Sequence, residues 1–171
     1  MKTEIKLTGG LYAEIIRDLT RPHPFAAERV GFVFGRMGSL GRLILLNRYH
    51  SIPDDQYVND PTVGARIGSE ALTWAMQAVY QGRPTREGIY HIHLHGYKGK
   101  TGMSCTDSRE IPKLLPGFQS MGRDAVSGII ILSLDHGSGW VWLPGNKEPF
   151  PADSINIIGV PIGVFEQGGK K

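Results

Sequence analysis

A chain of 171 residues, 40% hydrophobic and 20% charged, is long enough for one domain with a real core, which excludes a disordered, collagen-like or disulfide-built chain. Nineteen Lys and Arg against sixteen Asp and Glu leave a formal charge of +3 and a pI near 9.1, with no basic run to grip phosphates, so nucleic acid is not implied. The single cysteine, Cys105, cannot form an internal disulfide, MKTEIKLTGG opens without an apolar signal segment, and no apolar stretch is long enough to span a bilayer; the expected setting is reducing and cytoplasmic, with no membrane insertion.

Thr3 to Leu7 alternates as a short strand, and Leu11, Tyr12, Ile15, Ile16 and Leu19 then recur at helical spacing until Arg21-Pro22. Val30 to Gly35 and Arg42 to Tyr49 read as two antiparallel strands joined through Met37 to Gly41. After a polar loop from Ser51 to Gly64, the residues Ile67, Leu72, Ala75, Met76 and Val79 mark a second helix ending near Gly82, with Ser69 an alternative start. Ile89 to His95 alternates strictly, and a glycine-rich loop leads to a helix start at Ser104 to Asp107. That third helix is expected to be short, because Pro112 and Pro116 bracket Lys113 to Leu115. Gly128 to Leu134 is the apolar run of a central strand, Trp140 to Leu143 and Ser154 to Val160 are further strands, and Pro144-Gly145-Asn146 turns between them. The order predicts a single α+β domain over residues 1–171, with a mixed, mostly antiparallel sheet flanked by helices. Its core ends near Val160, and the tail, Gly168 to Lys171 above all, is expected to fray.

The chemistry concentrates in His91-Ile92-His93-Leu94-His95, where strand alternation puts three imidazoles on one face and Ile92 and Leu94 on the other. Two explanations compete: a metal site, and a nucleotide-binding histidine triad. Twelve residues after His95 comes Asp107, inside Ser104-Cys105-Thr106-Asp107, whose carboxylate can return as a third ligand. Two His and one Asp leave one tetrahedral position open, as catalytic rather than structural zinc requires. A carboxylate base is offered upstream by Glu28, in Glu28-Arg29-Val30-Gly31-Phe32-Val33-Phe34-Gly35.

Taken in order, Glu28 with Gly31 and Gly35, then His93-Leu94-His95, then Ser104 to Asp107, the chain resembles the JAMM metalloproteases of the MPN or JAB domain family. That resemblance implies a cytidine-deaminase-like fold and zinc held by His93, His95 and Asp107. It implies Glu28 as general base, Ser104 as stabiliser of the oxyanion, and cleavage of peptide or isopeptide bonds after a ubiquitin-like modifier. The chain is also similar to bacterial deubiquitinase-like proteins found beside ubiquitin-like conjugation enzymes in antiphage operons. Such E1-like and E2-like enzymes, and conjugates of the modifier, are the implied partners. Gly96 stands where the family has proline, and the segment from His95 to Ser104 is one residue longer. An alternative register would use His91 with His93; both registers keep His93 on the metal.

Other readings of the same residues stay open. His91 to Tyr97 nearly reproduces a histidine-triad pattern, which would make the protein a nucleotide hydrolase or transferase, and an inactive MPN scaffold would only bind a partner. Ser104 and Asp107 also fit a helix capping box, a use alternative to metal binding. Cys105 is incidental, Glu110 has no catalytic role, and His23, His50 and His136 are bystanders. Trp74, Tyr80, Trp140 and Trp142 read as core, with Trp140 and Trp142 on one sheet face beneath a helix. The acidic loop, with Asp54, Asp55, Asp60 and Tyr57, could receive the basic tail of a ubiquitin-like protein, or be plain solvated loop.

Overall fold

The computed structural model describes residues 2–24, 26–38, 42–60, 62–160 and 162–167. Its strands are β1 (Glu4–Thr8), β2 (Val30–Met37), β3 (Leu43–Ser51), β4 (Gly88–Leu94), β5 (Ser127–Leu132), β6 (Gly137–Trp142), β7 (Phe150–Pro151), β8 (Ser154–Ile158) and β9 (Gly163–Glu166). Its helices are α1 (Gly9–Leu19), α2 (Ser69–Gly82) and α3 (Cys105–Met121). All nine strands join one sheet in the order β7-β6-β5-β4-β2-β3-β1-β8-β9. The architecture is α+β, as the sequence predicts. The sheet is mixed and not mostly antiparallel, because β1 runs parallel to both β3 and β8, and β4 parallel to β5. The parallel pairs arise where a helix intervenes between the strands, as α3 does between β4 and β5.

The sheet curls until its ends meet. Gly139 of β6 accepts from Ala152 N at 2.8 Å, and its own N–H donates to the Gln167 side chain at 3.2 Å. Strand β9 therefore extends the sheet past Val160, and Phe165 packs against the core. Neither β7 nor β9 is foreseen from the sequence, since two and four residues carry too little periodicity. The tip of the β2–β3 connection, Ser39 to Gly41, and the tail Gly168 to Lys171 lie outside the described residues.

Helices cover the two faces of the sheet. Helix α1 starts where the Thr8 side chain accepts from Leu11 N at 3.2 Å, and it buries Leu11, Ile15 and Leu19 against Ile5, Val33, Tyr90, Ile92 and Ile130. On the opposite face, Ala71, Ala75, Ala78 and Val79 of α2 let that helix approach Phe32, Phe34 and Ile89 closely. Helix α3 covers Ile129, Ile131, Trp140 and Trp142 with Ile111 and Leu115, which puts the two tryptophans under a helix as expected. Tyr80, by contrast, is exposed rather than core. Among the described residues no helix is long and apolar enough to cross a membrane.

Helix α3 runs seventeen residues, through both prolines that were expected to bracket a short one. Pro112 and Pro116 are four apart and both solvent-exposed. The carbonyls they leave unpaired, on Ser108 and Pro112, belong to exposed residues on that face, open to solvent. Burial of Ile111, Leu115 and Phe118 on the other face offsets the lost bonds.

The head of β2 is fixed from the loop. The Tyr57 hydroxyl donates to Val30 O and accepts from Val30 N, both at 3.0 Å, and the ring is buried. Arg29, 2% exposed, donates to Arg21 O, Pro22 O and the Asp54 carboxylate, the last at 2.8 Å. Tyr57→Phe leaves two buried backbone groups without a partner and is expected to lower unfolding free energy by about 1–3 kcal/mol. Urea unfolding followed by tryptophan fluorescence reads this as a lower midpoint at unchanged slope.

Candidate metal centre

Strand β4 carries the imidazoles. It lies between β2 and β5, with Tyr90, Ile92 and Leu94 in the core under α1, so His91 and His93 face the α2 and α3 side. His95 follows directly after the strand, held by its N–H to Leu132 O at 2.8 Å. The Nε2 atoms of His93 and His95 are 3.0 Å apart. Two imidazoles this close either share one proton or direct both lone pairs at one cation. Nitrogens on a single tetrahedral zinc would stand roughly 3.3 Å apart, given bonds of about 2.05 Å.

Glu28 arrives from the loop before β2. Its N–H donates to Gly64 O at 3.0 Å, and its side chain lies over Gly64, where a Cβ would sit 2.9 Å from the carboxylate. A side chain there would push the Glu28 carboxylate aside. Glu28 Oε1 is 4.0 Å from His95 Nδ1, and donor atoms of Glu28, His93 and His95 all fall within 4.8 Å of one another. Gly31 serves a second close approach, since the Tyr49 ring crosses it within 2.6 Å of where a Cβ would be, and the Tyr49 hydroxyl donates to Asp18 at 2.6 Å.

Asp107 comes from the first turn of α3. The Ser104 hydroxyl accepts from Asp107 N at 3.0 Å, and Asp107 Oδ2 accepts from Ser104 N at 2.8 Å, a reciprocal cap. The same Oδ2 is 3.7 Å from His93 Nε2. Capping and facing the histidines are thus one geometry, not the alternatives the sequence suggested. The cap aims the carboxylate, and the Ser104 oxygen that accepts keeps its own hydrogen to donate elsewhere. Asp107 stands outside the tightest group of donors, which takes Glu28 in its place.

These side chains line one cleft of about 430 Å³, walled by Val30, Ile67, Leu72, Ile111 and Leu114. Burial pushes the His93 pKa down, with His91 adding to the shift, so its lone pair stays free at neutral pH and its contact with Asp107 is not an ion pair. His91 is pushed down to about 4 by burial, and its Nδ1 is buried with no hydrogen-bond partner. It stands behind His93, ring centroids 5.6 Å apart, against Phe32. Burial raises the Glu28 pKa; Asp107 raises it further, while His95 opposes. The donor set of neutral imidazoles and carboxylates could hold a metal ion.

The five residues singled out from the sequence, Glu28, His93, His95, Ser104 and Asp107, therefore come together in one cleft. Three that hold the site were missed: Arg29, Tyr57 and Gly64. Each acts across a loop, and only the apolar setting of Arg29 beside Glu28 hinted at one of them. The acidic loop is largely engaged internally, Asp54 with Arg29 and Asp60 with Thr62 and Arg66, so it offers little free charge to a basic tail. His50 is not idle either, for it stacks on Trp74 with centroids 3.3 Å apart. Comparison of the chain with models of known protein families, and with curated proteins, gives no match.

Ser104→Ala is expected to remove about 1 kcal/mol of stability through the lost cap. Because Asp107 then loses its aim, zinc affinity should fall about 10-fold or more in competition with a chromophoric chelator. Affinity equal to wild type would separate the cap from the metal centre.

Proposed function

We propose that the protein is a zinc-dependent peptidase or isopeptidase that cleaves after the C-terminus of a ubiquitin-like modifier, in deconjugation or precursor processing. The observation that carries this reading is the convergence of Glu28 with His93, His95, Asp107 and Ser104 in one cleft, from three separate segments of the chain. The resemblance to the JAMM metalloproteases supplies the substrate class and the setting beside ubiquitin-like conjugation enzymes in antiphage defence.

His93, His95 and Asp107 would hold the ion. Zinc bound there would polarise the scissile carbonyl and acidify a water molecule. Glu28, its proton affinity raised by burial, takes a proton from the attacking water and delivers it to the leaving nitrogen. The free hydrogen of the Ser104 hydroxyl donates to the oxygen on which negative charge develops. His91 packs beside His93 on the same face of the strand. The apolar walls exclude water around the bond being cut and would accept an extended tail. The histidine-triad reading leaves Glu28 and the Ser104–Asp107 pair without a role.

Glu28→Gln should lower kcat by about 10²–10⁴ on a linear fusion of a ubiquitin-like modifier while one zinc per chain is retained by elemental analysis. Asp107→Ala should lose the zinc as well as the activity. Zinc lost from Glu28→Gln and kept by Asp107→Ala would exchange the two carboxylates' roles. Zinc-loaded wild type that cleaves neither linear nor isopeptide-linked modifier would reject the activity.

A further inference from the structure

At the opposite end of β4 from the histidines, the turn Arg83–Thr85 and the residues after α3 enclose a second cavity of about 400 Å³. Its lining includes Arg83, Arg86, Arg123 and one carboxylate, Asp124. Arg83 is fixed in place: its guanidinium donates to Met121 O and to Ser120 O and stacks over the Tyr80 ring, 4.7 Å from the centroid. It thereby covers the negative pole of α3, which would otherwise repel an anion. The guanidiniums of Arg86 and Arg123 have no hydrogen-bond or ion-pair partner among the described residues.

Arg86 has φ of +52°, and among the described residues it is the one non-glycine in the left-handed region. A glycine would adopt that conformation without strain, whereas a long side chain costs about 1–2 kcal/mol there. Residues held in such conformations cluster at ligand clamps and switch regions. On the other side of the same turn, Arg36 and Arg48 line a neighbouring cavity with Glu87. Together the two cavities hold five of the nineteen basic residues and two of the sixteen acidic ones, an excess equal to the net charge of +3 of the whole chain. Because these arginines are scattered from Arg36 to Arg123, no basic run announces them.

We propose that Arg83, Arg86 and Arg123 form a binding site for a compact phosphate-bearing anion, separate from the cleft of the histidines. Planar guanidiniums match phosphate oxygens two at a time, and three of them with one carboxylate leave the concave site with an excess of positive charge. Seven residue steps along β4 and its approach, roughly 20 Å, separate Arg86 from His93, so the site does not draw on the proposed hydrolysis.

The test is isothermal titration of the full chain with pyrophosphate at low ionic strength. Wild type should bind one equivalent. The double variant Arg86→Ala, Arg123→Ala should bind at least tenfold more weakly, as should Arg86→Gly, which keeps or raises the thermal midpoint. Arg109→Ala, which removes an exposed arginine elsewhere on α3, should bind as wild type does. No binding by wild type, undiminished binding by the double variant, or an equal loss in Arg109→Ala overturns the site. So does tight binding of a short oligothymidylate without binding of pyrophosphate, which would make the face a nucleic-acid contact.

Discussion

The site depends on the two-residue period of β4, a strand buried on both faces. Ile92 and Leu94 are locked under α1, so His91 and His93 have no choice but to enter the opposite layer, where burial keeps them neutral. A slip of one residue would carry two imidazoles into the apolar core and bring isoleucine and leucine to the cleft. Pairing with β2 on one side and β5 on the other fixes that register over the whole strand. What the cleft can do chemically follows from the packing of the layer it does not touch.

The remaining groups are brought to this strand by local devices. Asp107 is aimed by the cap of its own helix, Glu28 by a hydrogen bond to Gly64 and the room that glycine leaves. The glycines that punctuate the Glu28 segment have comparable steric reasons, Gly31 beneath the Tyr49 ring and Gly35 at the register shift of β2 against β3. A sequence pattern of this kind is the imprint of close approaches, each of which a side chain would block.

The strands that alternate or run apolar, and the helices with an unbroken stripe, were legible because their periodicity reports burial directly. Of the three segments bearing the site, His93 and His95 were legible from alternation and Ser104 and Asp107 from capping spacing, whereas Glu28 stood out only by its place ahead of Gly31 and Gly35. The length of α3 was not, because a proline reports a lost bond but not whether the orphaned carbonyl faces water. Nor were the parallel pairings of β1, which join residues far apart in the chain and leave no local trace. Asp54 and Tyr57 were singled out only as parts of an acidic loop, and their bonds to Arg29 and Val30 were not foreseen because the partnership spans a loop.

The loop before α2 and the loop after β4 are both tied to the framework. On one side Tyr57 and Arg29 pin the loop before α2; on the other, Gly99 N donates to Asp135 at 2.7 Å, and Thr101 donates to Ile131 O at 3.1 Å and accepts from Ser138 at 3.0 Å. The conformational freedom of these loops is thus surrendered when the chain folds and not when a ligand arrives. Selectivity in such a cleft falls on the guest: a segment already extended and slender enters with little reorganisation, while one that must first unravel bears that cost alone.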